Sequence, residues 1–177
     1  DNARAYERIR ELTRQDDHTG LYNARHLWHE LEAEVARSRR TRRPFSLVFL
    51  DLDRFKEVND RFGHQAGSAT LREVGELVRS SIRAIDVPVR FGGDEFVVLL
   101  PETDRARARV AAERLREAVN AAVFLRSRGL DVRVTASFGI ASFPDDGRTP
   151  EELVHRADGA MYRVKETTRD GIAHAGA

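Results

Sequence analysis

Arg90-Phe-Gly-Gly-Asp-Glu-Phe96 decides how this chain is read. An apolar run over residues 87–91 enters a glycine pair, and a second apolar run over 96–100 follows two acids. Two strand-like runs around Gly92-Gly93 predict a tight β-hairpin, in which glycine supplies the positive φ of the turn. The tip carries Asp94 and Glu95 where many hairpins carry Asn-Gly. Adjacent carboxylates on a stiff turn suit a divalent cation. Taken alone they equally fit a solvated turn with incidental charge.

Upstream, Phe45-Ser-Leu-Val-Phe-Leu-Asp-Leu-Asp53 is nearly continuous in apolar character and predicts a central strand covered on both faces. Asp51 ends it. A carboxylate there is costly unless it is paired, hydrogen-bonded or bound to metal. Residues 54–63 predict a short helix and turn, and Leu71, Val74, Val78, Ile82 and Ile85 mark the apolar stripe of a longer helix. Beyond the hairpin, Thr103 is placed to N-cap a helix whose stripe is Ala106, Val110, Leu115, Ala118, Val119 and Ala122. Residues 131–140 alternate and are rich in β-formers, which predicts another strand. Thr149-Pro-Glu-Glu152 is a capping box with proline at the first helical position. Leu153, Val154, Ala157, Met161 and Val164 then face inward, and Ile172 seeds a short last strand.

Toward the N-terminus, Asp16-Asp-His-Thr-Gly-Leu21 predicts a turn. A helix with Leu27, Trp28, Leu31 and Val35 on one face follows, stopped at Pro44 after a basic run. Tyr6, Ile9 and Leu12 form a weak helical stripe, so residues 1–15 read as a connecting helix and 16–177 as one domain. Stripped of its ends, the order is strand, helix, hairpin, helix, strand. This predicts an α+β fold, a ferredoxin-like β-α-β-β-α-β sheet with added helices. In that topology the first strand lies beside the hairpin, so Asp51 faces Asp94 and Glu95. Two carboxylates ~4 Å apart repel by up to ~4 kcal/mol at an effective dielectric near 20. A cation between them removes the repulsion.

The bulk figures set limits. With 177 residues, 41% hydrophobic and 33% charged, the chain is a globular domain with a real core. Thirty basic against 29 acidic side chains leave a net charge of +1, which argues against a broad DNA or RNA footprint. The absence of cysteine excludes disulfides and thiolate metal sites. No apolar run approaches the ~20 residues of a membrane span. The expected location is cytoplasmic, without membrane contact by this segment. Because the chain begins at Asp1, an upstream sensor module is expected in a longer protein.

These residues resemble the GGDEF family of nucleotidyl cyclases, the diguanylate cyclases. Five letters match at Gly92 to Phe96, and the likeness extends to Leu50-Asp-Leu-Asp-Arg-Phe-Lys-Glu-Val-Asn-Asp60, Phe62-Gly-His-Gln-Ala-Gly67, Arg83-Ala-Ile-Asp86, Ser137-Phe-Gly139, Ala157-Asp158, Tyr162 and Lys165. The resemblance implies a polymerase-like palm that joins two nucleoside triphosphates into a cyclic dinucleotide with release of pyrophosphate. Each domain holds one triphosphate, so two copies face one another as a homodimer.

It implies that Asp51, the Leu52 carbonyl and Asp94 hold two Mg²⁺ ions, with Mn²⁺ as a substitute, and that Glu95 activates the 3′-hydroxyl or assists the metal. Phosphates are expected on Lys165 and Arg169 and on the amides of Asp53, Arg54 and Phe55 at a helix start. Asn59 is expected to read the guanine edge, with His64 structural beside the base pocket. His18, His26 and His29 form no ligand set. Arg83 and Asp86, with Arg114 of a neighbouring domain, correspond to an inhibitory site for the cyclic dinucleotide product.

One departure bears on substrate. After Gly67 the family usually has Asp, and here it is Ser68. A carboxylate is acceptor-only and selects the guanine donors, whereas a hydroxyl donates or accepts and also meets adenine N1. The same replacement resembles a hybrid promiscuous branch that takes ATP with GTP and makes cyclic GMP–AMP. The expectation is therefore GTP with ATP. Strict GTP use and a non-catalytic receptor binding through Arg83 and Asp86 are the alternatives. His18, where the family often has Leu, is expected to affect local packing alone.

Overall fold

The computed structural model describes residues 14–176. In chain order its elements are β1 (Tyr22–Asn23), α1 (Ala24–Thr41), β2 (Phe45–Leu52), α2 (Phe55–Phe62), α3 (His64–Ser80), β3 (Val87–Gly92), β4 (Glu95–Leu100), α4 (Arg105–Ala121), a 3₁₀ turn (Arg126–Arg128), β5 (Ala136–Phe143), α5 (Pro150–Glu166) and β6 (Ile172–His174). The strands form one sheet in the order β1-β3-β4-β2-β5-β6. β2 is antiparallel to both β4 and β5, and the edge strands β1 and β6 pair in parallel. The inner four strands have the predicted ferredoxin-like order.

All eight residues of β2 are buried, as expected for a strand covered on both faces. Its period of two divides the core. Val48, Leu50 and Leu52 pack with α2, α3 and α4, while Phe45, Leu47 and Phe49 pack with α1 and α5. Each fully buried Phe or Leu here contributes about 1.5–3 kcal/mol. Glycine matters at Gly139 on β5, where an added Cβ would lie 2.0 Å from the Ala157 carbonyl oxygen and 2.3 Å from the Met161 nitrogen. The backbone of α5 rests directly on that strand.

Several local expectations are corrected. Neither Gly92 nor Gly93 has positive φ. The hairpin turns with a register shift between Arg90 and Gly92 instead. A Cβ on Gly92 would lie 3.1 Å from Glu95 Oε2, so this glycine makes room for a carboxylate. Asp104, not Thr103, caps α4, accepting from the Arg107 amide, while Thr103 is buried. The inward stripe of α4 is Ala108, Ala111, Ala112, Leu115 and Val119, and Val110 is exposed. An alanine- and arginine-rich helix offers little contrast between its faces in sequence. α3 begins at His64 and ends at Ser80, leaving Ile85 exposed beyond it. β5 starts only at Ala136; upstream, Val132 bridges Phe124 instead of joining the sheet. The connecting helix expected at the N-terminus lies, except for Arg14 and Gln15, outside the described residues.

Candidate active site

The alternation that builds the core also carries acids to one place. Asp51 on β2 and Glu95 on β4 are register partners, and both fall on the strand face turned toward α5. There Lys165, in the last turn of α5, donates from Nζ to Asp51 Oδ1 at 2.6 Å. Asp51 is only 4% exposed. Burial pushes its carboxyl up, the Lys165 hydrogen bond pulls it down, and the charges of Asp94 and Glu95 push it up again, to about 6. Burial also lifts Glu95, helped by the charges of Asp158 and Asp94. Burial opposes the Lys165 ammonium, but its bond to Asp51 and the surrounding acids outweigh this and raise it.

Asp51, Asp94 and Glu95 thus converge as the topology predicted. Asp158 joins them without having been assigned a role from sequence. Its signal was its place seven residues before Lys165, on the same helix face.

Around this ammonium the carboxylates are in surplus, which fits a divalent cation. Among the described residues no three His, Cys, Asp or Glu side chains close into a ligand set by themselves. Magnesium does not require one, because it takes one or two carboxylates together with phosphate oxygens and water. The Leu52 amide donates to the Asp94 carbonyl at 3.2 Å, which draws the end of β2 against the hairpin tip.

Beside the tip lies a cleft of about 390 Å³ lined by Asn59, His64, Ser68, Arg90, Gly93 and Asp94, among others. Asn59 comes from α2, and His64 and Ser68 from the first turns of α3. Gly67 allows the close approach of these helices, since a Cβ there would lie 1.8 Å from Asn59 Oδ1. Among the described residues neither the Asn59 amide nor the Ser68 hydroxyl has a protein hydrogen bond, so both are available to a ligand. His18 does more than pack. Its Nε2 lies 2.9 Å from the Ser68 carbonyl oxygen.

A larger cleft, about 860 Å³, opens on the other side of the β2–α2 turn and is lined by Asp53, Arg54, Thr135, Arg169 and Asp170, among others. Arg54 and Arg169 both have left-handed backbone, at φ 54° and 51°, and both side chains are exposed. Arg54 and Phe55 stand at the start of α2, where amides have no intrahelical partner. Asp53 is placed differently from expectation. Its amide donates to Thr135 O at 2.8 Å. Its carboxylate accepts from Thr135 Oγ1, Ser137 Oγ and the Asp170 amide at 2.6–2.9 Å. It braces the turn that carries Arg169.

Arg83 and Asp86 stand apart, at a third cleft beside β3. Asp86 is buried and accepts from the Arg83 amide, Nε and Nη2, while Nη2 also reaches Thr103 Oγ1 and Pro101 O. Asp86 therefore holds Arg83 in place. Arg114 lies near, donating to Ser81 O at 2.9 Å. Arg90, quoted in the opening motif without a role, links Asp16 to the Gly93 carbonyl.

Comparison with known proteins agrees with this geometry. The family described as "Diguanylate cyclase, GGDEF domain" matches residues 13–171. The response regulator PleD of Caulobacter vibrioides is 40% identical over 163 residues, which is 92% of this chain and 36% of PleD, so the chain spans about a third of that relative. Among solved structures, the GGDEF domain of YfiN (TpbB) from Pseudomonas aeruginosa superposes with a TM-score of 0.85 at 35% identity, covering 90% of this chain and 99% of that one. The coiled coil and GGDEF domain of DgcB from Caulobacter crescentus, solved in complex with c-di-GMP, gives 0.88 at 27% identity, covering 98% and 91%.

Proposed function

The chain belongs to the GGDEF, diguanylate cyclase, family, and from that premise we propose that it joins two nucleoside triphosphates into a 3′,3′-cyclic dinucleotide. The observation that carries this reading is the meeting of Asp51, Asp94 and Glu95 beside a cleft with unengaged Asn59 and Ser68. GTP is the first substrate. Ser68 leaves the base edge without the carboxylate that would demand guanine, so ATP is accepted as well and cyclic GMP–AMP forms beside cyclic di-GMP.

Asn59 and Ser68 hold the base, and Lys165, Arg169 and the Arg54 and Phe55 amides hold the phosphates. Glu95, made more basic by burial and by its acidic neighbours, takes the proton of the 3′-hydroxyl. The new bond joins that oxygen to the partner's α-phosphorus, the α–β anhydride breaks, and pyrophosphate leaves. Asp51, Asp94 and the Leu52 carbonyl would hold magnesium, which when bound would neutralise phosphate charge and lower the pKa of the attacking hydroxyl. Two copies face each other, each bringing one triphosphate.

The test is incubation with equimolar ATP and GTP and Mg²⁺, with products identified by mass spectrometry. Products containing both bases are expected, and Ser68→Asp shifts them toward cyclic di-GMP. Glu95→Gln lowers turnover by about 10²–10⁴-fold. A guanine-only product reduces the reading to a strict diguanylate cyclase. Binding of cyclic dinucleotide without any turnover replaces it with a receptor.

A further inference from the structure

His18 and Ser68 lie fifty residues apart and meet beside the base cleft. The acceptor is the Ser68 carbonyl oxygen, so His18 Nε2 carries the proton and donates. One turn further along α3, Arg72 returns the bond, its Nε donating to the His18 carbonyl at 3.3 Å. The two contacts clip a single loop residue to positions i and i+4 of the helix. They act where α3 is least secured. Gly63, which precedes the helix at φ 89°, provides no side-chain cap, and the first turn has no acidic residue.

The same loop is fastened to the opposite wall of the cleft. Asp16 accepts from Arg90 Nη1 at 3.2 and 3.4 Å, and Arg90 Nε and Nη2 donate to the Gly93 carbonyl at 3.2 and 2.9 Å. The loop thus spans from Ser68 to the residue before Asp94. A serine hydroxyl is short and needs a partner at about 2.5–3.0 Å, so its use to a base depends on where its backbone is held.

We propose that His18 is a positioning residue for nucleobase selection, its ring fixing the Ser68 backbone and so the place where the Ser68 hydroxyl meets the base edge. The identity of the ligand rests on the cyclase reading. The clip itself does not.

The experiment compares His18→Leu, which keeps bulk and loses the donor, with His18→Gln, which keeps an N–H donor. Dissociation constants are measured for α,β-methylene analogues of GTP and ATP, which cannot be turned over, and amide exchange is followed over residues 64–72. His18→Leu is expected to shift the ratio of GTP- to ATP-analogue affinity by about threefold to tenfold, the worth of one hydrogen bond, and to speed exchange in that segment. His18→Gln restores most of both. An unchanged ratio in His18→Leu overturns the proposal, even with faster exchange, and so does an equal loss in the Leu and Gln variants. Should the wild type bind the analogues yet make no product, the cyclase reading fails, and the analogue ratios still decide His18. A wild type that bound neither analogue overturns both.

Discussion

Asp51 is an acid closing a strand of apolar residues, and its surroundings pull in two directions. Burial and the neighbouring carboxylates favour its neutral form, and Lys165 favours its charge. The first influence wins, so its folded pKa, about 6, stands above the ordinary 3.8. The native state then holds a proton that the unfolded chain releases at lower pH. This contribution is complete below about pH 4 and is lost as pH rises through 6. The difference amounts to up to about 3 kcal/mol. Urea denaturation with chelator present, at pH 4.5 and pH 7.5, checks this against Asp51→Asn. Wild type should lose stability relative to the variant as pH rises, and parallel pH profiles would contradict the argument. Asp16 runs the other way. Burial raises it, but hydrogen bonds from Thr19 and the Arg90 guanidinium more than offset this and lower it, so its contribution fades as pH falls.

At the scale of elements, α5 is the piece on which the site depends. It presents Lys165 to Asp51 and carries Asp158 to the same cluster. Its height above the sheet is set at Gly139, where helix backbone and strand touch. Gly139→Ala forces a Cβ into the Ala157 carbonyl and must lift the helix. The expected cost is about 1–3 kcal/mol, as for other overpacked cores, together with a loss of turnover larger than the loss of stability explains. Thermal melting and a cyclase assay on the same preparation check it. If activity survives unreduced, α5 does not set the site. The element boundaries that were misread have one cause. Thr103, Val110 and Ile85 sit at helix ends or on an Ala-rich face, where local pattern carries little information and packing against the sheet decides.

For the whole molecule, the Arg83 cleft lies away from the acids, beside β3, and its guanidinium is oriented by Asp86, Thr103 and Pro101 before any ligand arrives. Both Nη1 N–H groups remain for a phosphate or a guanine edge. Cyclic di-GMP is therefore expected to slow turnover. Arg83→Ala should relieve that inhibition, and Asp86→Asn should weaken it by loosening the arginine. Initial rates at increasing cyclic di-GMP measure both, and inhibition that persisted in Arg83→Ala would remove the role. Among the described residues no helix is long and apolar enough to cross a membrane.

Much of this protein was legible in one dimension. The strand parity of 45–52 and 95–100, the acids at their ends and the order of elements depend on neighbours in sequence, and local periodicity records them. The sequence alone placed Asp51 opposite the hairpin tip, because the ferredoxin-like order of elements sets the first strand beside the hairpin. Other contacts join segments fifty or more residues apart: His18 on the Ser68 backbone, Asp53 bracing the Arg169 turn, and Arg90 on Asp16. No periodicity encodes them, because a single polar side chain finds its partner only after the sheet and its two helical layers have packed.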